Sequence, residues 1–316
     1  MKISGFTMGK NASKLYYPMK QSIMSILPIV DEFIVALGNS DEDDTSRKEI
    51  ESIGSDKIKI IDTVWDLEKY PRGMENAHQT DIAMKECSGD WLFYLQADEV
   101  VHEKHLPIIQ QRCEELLNDK EVEGLLFNYY HFWGDYDHYH FSHRWYKNEI
   151  RIVRNDPEIH SFESAQSFRR IPDFDGVSYR KWESTSMLKV APVDAYIFHY
   201  GWVRPPELMK NKMKALDTIH KGSSMAEEMA LKNRNFDYGP LNKLKKFTET
   251  HPAVMKEWIA KFDWKDQLQY SGKPQKTRKK HKHEQLKYRI ISCFENSFLR
   301  GNTIGGFKNY RLLKRK

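Results

Sequence analysis

The chain has 316 residues, 40% hydrophobic and 13% aromatic, enough to bury a large core and unlike a disordered composition. No apolar run approaches the roughly 18 residues of a spanning helix, and the opening KISGFTMGKN holds no signal-peptide core, so neither a membrane-spanning nor a secreted protein is expected and the chain reads as cytoplasmic. Three scattered cysteines, Cys87, Cys113 and Cys293, suit neither a disulfide framework nor a zinc motif.

The net charge of +5 conceals a division. Residues 241–316 hold 20 Lys+Arg against 6 Asp+Glu, leaving 30 against 39 upstream.

In chain order, KISGFTM reads as a first strand and ASKLYYPMKQSIMSIL as a helix. VDEFIVALG is a second strand, and DDTSRKEIESIG offers Asp44 or Thr45 as the cap of a second helix ending at Gly54. KIKIIDTVW is a third strand, NAHQTDIAMKECSG a third helix stopped by Gly89, and DWLFYLQ a fourth strand. This alternation predicts βαβ crossovers and a largely parallel sheet. The fourth strand runs into ADEVVHE, which puts Asp98 and Glu99 where ligands gather beyond the carboxyl ends of α/β strands. The competing reading of these two acids is a cap on the helix VVHEKHLPIIQQRCEELL. Further on, DAYIFHYGW is a strand that ends in His199, and Pro205 and Pro206 open the helix PELMKNKMKALDTIH. GKPQKTRKKHKHEQ is a linker near 271–283, followed by a helical LKYRIISCFENSFLRG and a basic end, FKNYRLLKRK.

The first strand and helix, the acidic turn GNSDEDDT, the segment SGDWLFYLQADE and the later IFHYGWVRPPE together resemble a bacterial family 2 glycosyltransferase of the GT-A fold, over about residues 2–212. The resemblance implies an α/β, GT-A (Rossmann-like), mostly parallel sheet flanked by helices, to which the composition adds a helical basic C-terminal appendage. It divides the chain into residues 1–215, nucleotide-binding to 100 and acceptor-side beyond, and a region 216–316. The implied reaction is inverting, hexosyltransferase-like transfer from a UDP-, GDP- or dTDP-sugar to a glycan or lipid-linked acceptor, as in polysaccharide biosynthesis.

Such transfer needs the charge on the leaving diphosphate met, most simply by Mn or Mg. Where the family has Asp-x-Asp this chain has Gln96, Ala97 and Asp98, so the resemblance assigns the metal to Asp98, Glu99 and His199. It places Phe6, Thr7, Asn39, Arg72, Gln96, Trp202 and Arg204 around the nucleotide-sugar, with Asn39 standing where the family usually has an aspartate. The segment HSFESAQSFRR resembles the one that carries the catalytic Glu-Asp pair; here it reads Glu163 and Ser164, leaving Glu163 as the base, with Asp135, Asp137 and Asp194 as alternatives. The histidines at 102, 105, 131, 138, 140 and 143 lack ligand spacing and zinc is not expected.

Trp133, Tyr136, Trp145 and Tyr146 are candidates for an acceptor surface, since aromatic faces suit the C–H face of a sugar, with core packing as the simpler account. The lysine-rich tail reads as a solvated charge run or as a contact for an anionic membrane surface at the inner face of the membrane. No motif accompanies it that would read nucleic acid. A nucleotidyltransferase would carry a glycine-rich phosphate loop after the first strand, and SGFTMGKNASK has none; an inactive glycan- or nucleotide-binding protein is the other alternative, favoured by Gln96 and Ser164.

Overall fold

Strand and helix alternate through the first part of the computed structural model, which describes residues 1–143, 145–232, 236–275, 278–298, 304–305 and 308–313. The order is β1 (Ile3–Gly9), α1 (Met19–Ile26), β2 (Glu32–Gly38), α2 (Ser46–Glu51), β3 (Ile58–Thr63), α3 (Met74–Lys85) and β4 (Trp91–Tyr94). α1 is shorter than the pattern predicts, because Pro18 sits at its N-cap and the preceding ASKLYY turns instead. Asp44 accepts a hydrogen bond from the Ser46 N–H at the start of α2, and Gly54 at φ +67° follows its end.

Beyond β4 come β5 (Glu99–Val101), α4 (Leu106–Leu116), β6 (Gly124–Trp133), β7 (His138–His140), β8 (Asn148–Arg154), β9 (Ile159–Phe162), β10 (Ser167–Arg170) and β11 (Ser186–Trp202). The sheet runs β3-β2-β1-β4-β8-β6-β11-β10-β9. The four strands from β3 to β4 are parallel, β8 is antiparallel to both β4 and β6, and β6 and β11 are again parallel. The expected α/β architecture is therefore present, with its parallel half in the first hundred residues and a mixed half after it. Apolar strands buried on both faces explain this: Phe33, Val35, Trp91 and Phe93 pack on one side, and Phe6, Ile34, Leu92 and Tyr94 on the other.

α5 (Pro206–Lys221), α6 (Ser223–Lys232), β12 (Lys245–Lys246), α7 (Lys256–Ile259), α8 (Leu286–Phe298) and β13 (Tyr310–Leu312) complete the described chain. The boundary expected near 215 falls inside α5, and the later strands join the same sheet, β12 on β7 and β13 on β11. Phe247, Met255, Trp258 and Trp264 pack with Phe132, Tyr136 and Tyr200 in one buried cluster. Residues 276–277 of the expected linker, 299–301 of the expected last helix, and 307 and 314–316 of the basic end lie outside the described residues. No helix among the described residues is long and apolar enough to cross a membrane.

Candidate active site

Parallel β1 and β4 are neighbours, so the segments beyond them open on one edge of the sheet. A cavity of about 470 Å³ lies there, lined by Gly9 to Ala12, Trp65, Gln96 to Asp98, Ser164, His199 and Trp202, and by Lys212, Leu216 and Ile219 of α5. That volume is in the range of small-molecule sites.

At its floor are three polar groups. The Lys212 ammonium donates to the Gly201 carbonyl at 2.5 Å and to Asp98 Oδ2 at 3.3 Å. The Tyr17 and Trp202 rings face it at 5.0 and 5.3 Å. His199 Nε2 stands 3.6 Å from the same carboxylate oxygen. Burial alone would raise the Asp98 carboxyl, but Lys212, His199 and Arg204 hold it well below the usual carboxylate range. Burial, helped by Arg204, pushes the Lys212 ammonium down to about 7, against the pull of Asp98.

Behind this floor the tautomers follow from the partners. His131 Nε2 meets the Tyr146 carbonyl at 2.8 Å, so it carries the proton and Nδ1 accepts. His199 Nδ1, 2.9 Å away, must then be the donor. Burial, with His199 beside it, keeps His131 far below the usual histidine value and therefore neutral. His199 is thus clamped with Nε2 toward Asp98.

The fit of a divalent ion can be judged from these atoms. Asp98 Oδ2 and His199 Nε2 are spaced as two ligands of one small ion could be. Yet the oxygen already holds an ammonium, and two unit charges 4 Å apart repel by about 4 kcal/mol at an effective dielectric of 20, doubled for a divalent ion. The third expected ligand is not at hand. Glu99 is fully buried, with Arg151 Nε and Nη2 on its two oxygens at 2.7 and 2.8 Å, the Tyr129 hydroxyl at 2.9 Å and the Gln96 N–H at 3.1 Å. All its acceptor capacity is spent inside the core. Among the described residues no three His, Cys, Asp or Glu side chains are grouped to hold a metal. The residues present fit an ammonium on Asp98 rather than a divalent ion beside it.

The other expected site residues divide. Gln96 and Trp202 line the cavity, although the Gln96 amide is tied to the Ala165 carbonyl at 3.0 Å. Asn39 sits at the rim, accepting from Lys10 Nζ at 3.0 Å and from the Trp65 N–H at 3.2 Å. Phe6 and Thr7 are buried and outside the lining, the Phe6 ring 5.3 Å from that of Tyr94. Arg72 is exposed and outside the lining. Arg204 is fully buried, donating to the Leu15 and Gly201 carbonyls, so it braces the floor from behind.

Glu163 is also outside the lining, whereas Ser164 is in it, hydrogen-bonded to Asn76 at 3.1 Å and 3.4 Å from His220 Nε2. Glu163 and Ala165 flank that serine at φ +57° and +56°. Two non-glycine residues in the left-handed region cost about 1–3 kcal/mol each, strain that tends to collect at functional turns. Asp135 is spent on the backbone N–H groups of Asp137 and His138 and on the His138 ring, and neither it, Asp137 nor Asp194 reaches the cavity.

The aromatic candidates are mostly core. Trp133 is buried, donating to the Tyr238 carbonyl and stacked on Trp202 at 5.0 Å; Tyr136 is buried among Tyr200, Phe262 and Trp264. Trp145 stacks on His140 at 4.1 Å, and Tyr146 lies edge-on to His131 and Tyr129. These contacts leave Trp133 and Tyr136 no free face for a sugar. Lys212 and His220 are the groups that sequence reading missed. The stripe Pro206, Met209, Lys212, Met213, Leu216 is a signal that would have placed Lys212 on the inward face of α5.

No family model matches the chain, and no curated protein matches it in sequence. Among solved structures, it is similar to glucosyl-3-phosphoglycerate synthase from Mycobacterium tuberculosis, in complex with Mn2+, uridine diphosphate and phosphoglyceric acid, at 17% identity over 41% of this chain and 43% of that one, TM-score 0.28. It is similar also to S. aureus TarS, at 12% identity over 72% of this chain and 42% of that one, TM-score 0.37. For TarS 1–349 the shares are 73% and 69%, TM-score 0.36. The chain spans less than half the length of the first two, and none of these likenesses is close enough to transfer a substrate or a metal to it.

Proposed function

We propose that this chain is a glycosyltransferase that moves a sugar, with inversion, from a UDP-, GDP- or dTDP-sugar to a hydroxyl of a glycan or lipid-linked acceptor, in polysaccharide biosynthesis on the cytoplasmic side. The observation that carries this reading is the buried Lys212 ammonium, fixed by Asp98 and the Gly201 carbonyl in a cavity walled by Tyr17, Trp65 and Trp202. In the transfer, the acceptor oxygen bonds to the anomeric carbon as the bond to the phosphate oxygen breaks. The hydroxyl proton passes to a base and negative charge grows on the leaving diphosphate.

A positive group already fixed where that charge develops stabilises the transition state without reorganisation. Lys212 supplies it, Lys10 adds a second cation at the rim, and Asp98 keeps Lys212 in place. The diphosphate also favours the charged form of Lys212, offsetting its burial. No step is assigned to a divalent metal. We assign the base to Glu163 on the strained turn beside the cavity, with His220 as the residue to compare.

The test is calorimetric titration with UDP, GDP and dTDP in EDTA and then in manganese. Binding that persists in EDTA and is lost in Lys212→Met is expected. Binding that needs manganese and survives Lys212→Met would give the diphosphate back to a metal on Asp98 and His199. No binding under either condition would support a catalytically inactive glycan-binding protein, the reading that the tethered Gln96 and Ser164 favour. With donor and acceptor in hand, Glu163→Gln is expected to leave nucleotide affinity unchanged and remove turnover; normal turnover there, with loss in His220→Gln, moves the base to the histidine.

A further inference from the structure

α8 is built inside out. Its buried residues are Ser292 and Glu295, while Leu286, Ile290, Phe294 and Phe298, spaced four apart along one side, are 68%, 60%, 47% and 73% exposed. The polar side is bonded inward: Ser292 Oγ accepts from the His143 N–H at 2.7 Å, and Glu295 Oε1 accepts from the Ile304 N–H at 2.7 Å and lies 2.8 Å from His143 Nδ1. Rolling the apolar side inward would strip a buried carboxylate of its partners, so the exposure is fixed by the fold. Contiguous exposed apolar faces of this kind mark interaction sites.

The charge around the stripe chooses the partner. Lys279, Lys280, Lys282, Lys287 and Arg289 are exposed, while the acids of the same stretch are withdrawn, Glu284 into an ion pair with Arg278 and Glu295 into the core. A cleft of about 240 Å³ beside the helix is lined by Lys243, Lys245 and Arg289 with no carboxylate. A second copy of the chain would bring like charges together, whereas an anionic lipid surface offers phosphates to the cations and hydrocarbon to the stripe.

We propose that α8 is a docking helix for anionic membranes, lying in the interface with Leu286, Ile290, Phe294 and Phe298 among the acyl chains and the lysines on lipid phosphates. The device stands apart from the transferase reading and lies two ring contacts from its cavity. His281 and His283, just ahead of α8, pack 5.2 and 5.6 Å from Trp133, which stacks on the cavity-lining Trp202.

Flotation of the full chain with vesicles of phosphatidylcholine, with and without phosphatidylglycerol, tests it. Binding to the anionic vesicles alone is expected, weakened by salt, and reduced by about tenfold or more in an Ile290→Ser, Phe294→Ser double variant. Because both side chains are exposed, the double variant should keep the wild-type melting temperature, so a loss of binding would not reflect unfolding. Lys287→Gln with Arg289→Gln should weaken binding separately. The proposal is overturned by no binding to anionic vesicles, or by binding that the double variant leaves intact. Self-association abolished by the double variant, without vesicle binding, would make a second copy the occupant and overturn it as well.

Discussion

At Asp98 one carboxylate oxygen is shared by an imidazole and an ammonium, and the space among them exists because residue 201 has no side chain. A Cβ there would lie 2.6 Å from His199 Nε2 and 2.8 Å from Lys212 Nζ, and closer still to Asp98 Oδ2. Gly201→Ala is therefore expected to displace all three groups and weaken UDP binding by about tenfold, or about 1.4 kcal/mol, read by calorimetry. Unchanged affinity would mean that the nucleotide does not use this floor. Asp98 and His199 were legible in the sequence because each ends a strongly patterned strand. Lys212 was passed over, although the apolar stripe from Pro206 to Leu216 sets it apart from Lys210 and Lys214; only the docking of α5 shows that Asp98 is its partner.

On the scale of elements, Glu99 and Arg151 join β5 to β8 through a pair in which neither side chain is exposed. Arg151 also donates to the Ile150 and Gln166 carbonyls and lies between the Tyr94 and Tyr129 rings. Removing one member leaves a buried charge alone, so Glu99→Ala is expected to cost about 3–5 kcal/mol in urea unfolding, with a double replacement by methionines costing less. A loss below about 1 kcal/mol would be the value for an exposed pair and would contradict the burial. The sequence shows two adjacent acids beyond a strand. The packing of β5 against β11, which pairs Glu99 with His199 in register, sends one acid to the cavity and the other to the core.

Across the whole molecule, burial keeps His105, His251 and His283 neutral, each pushed down to about 4. His251 shows the geometry, Nδ1 accepting from the Tyr200 hydroxyl at 2.8 Å and Nε2 donating to the Tyr136 carbonyl at 3.0 Å. The unfolded chain takes up these protons near pH 6.5 and the folded chain only near 4. Their stabilisation is therefore complete above about 6.5 and lost as pH falls toward 4. Urea midpoints at about pH 7.5 and pH 5 should differ accordingly; equal midpoints would mean that these rings are solvated.

What the sequence determined by itself is the part written in local periodicity and turn chemistry: the alternating strands and helices of the first hundred residues, the carboxylate-ended fourth strand, the strand that carries His199, and the basic tail. These depend on neighbours within a few residues, so composition and spacing suffice. Direction came from the docking of elements far apart in the chain: which of two acids enters the cavity, what Lys212 meets there, whether the aromatic loop faces solvent or core, and which side of α8 is left outside. Each turns on the register between elements far apart in the chain, and a single residue's rotation of a helix or slip of a strand reverses it.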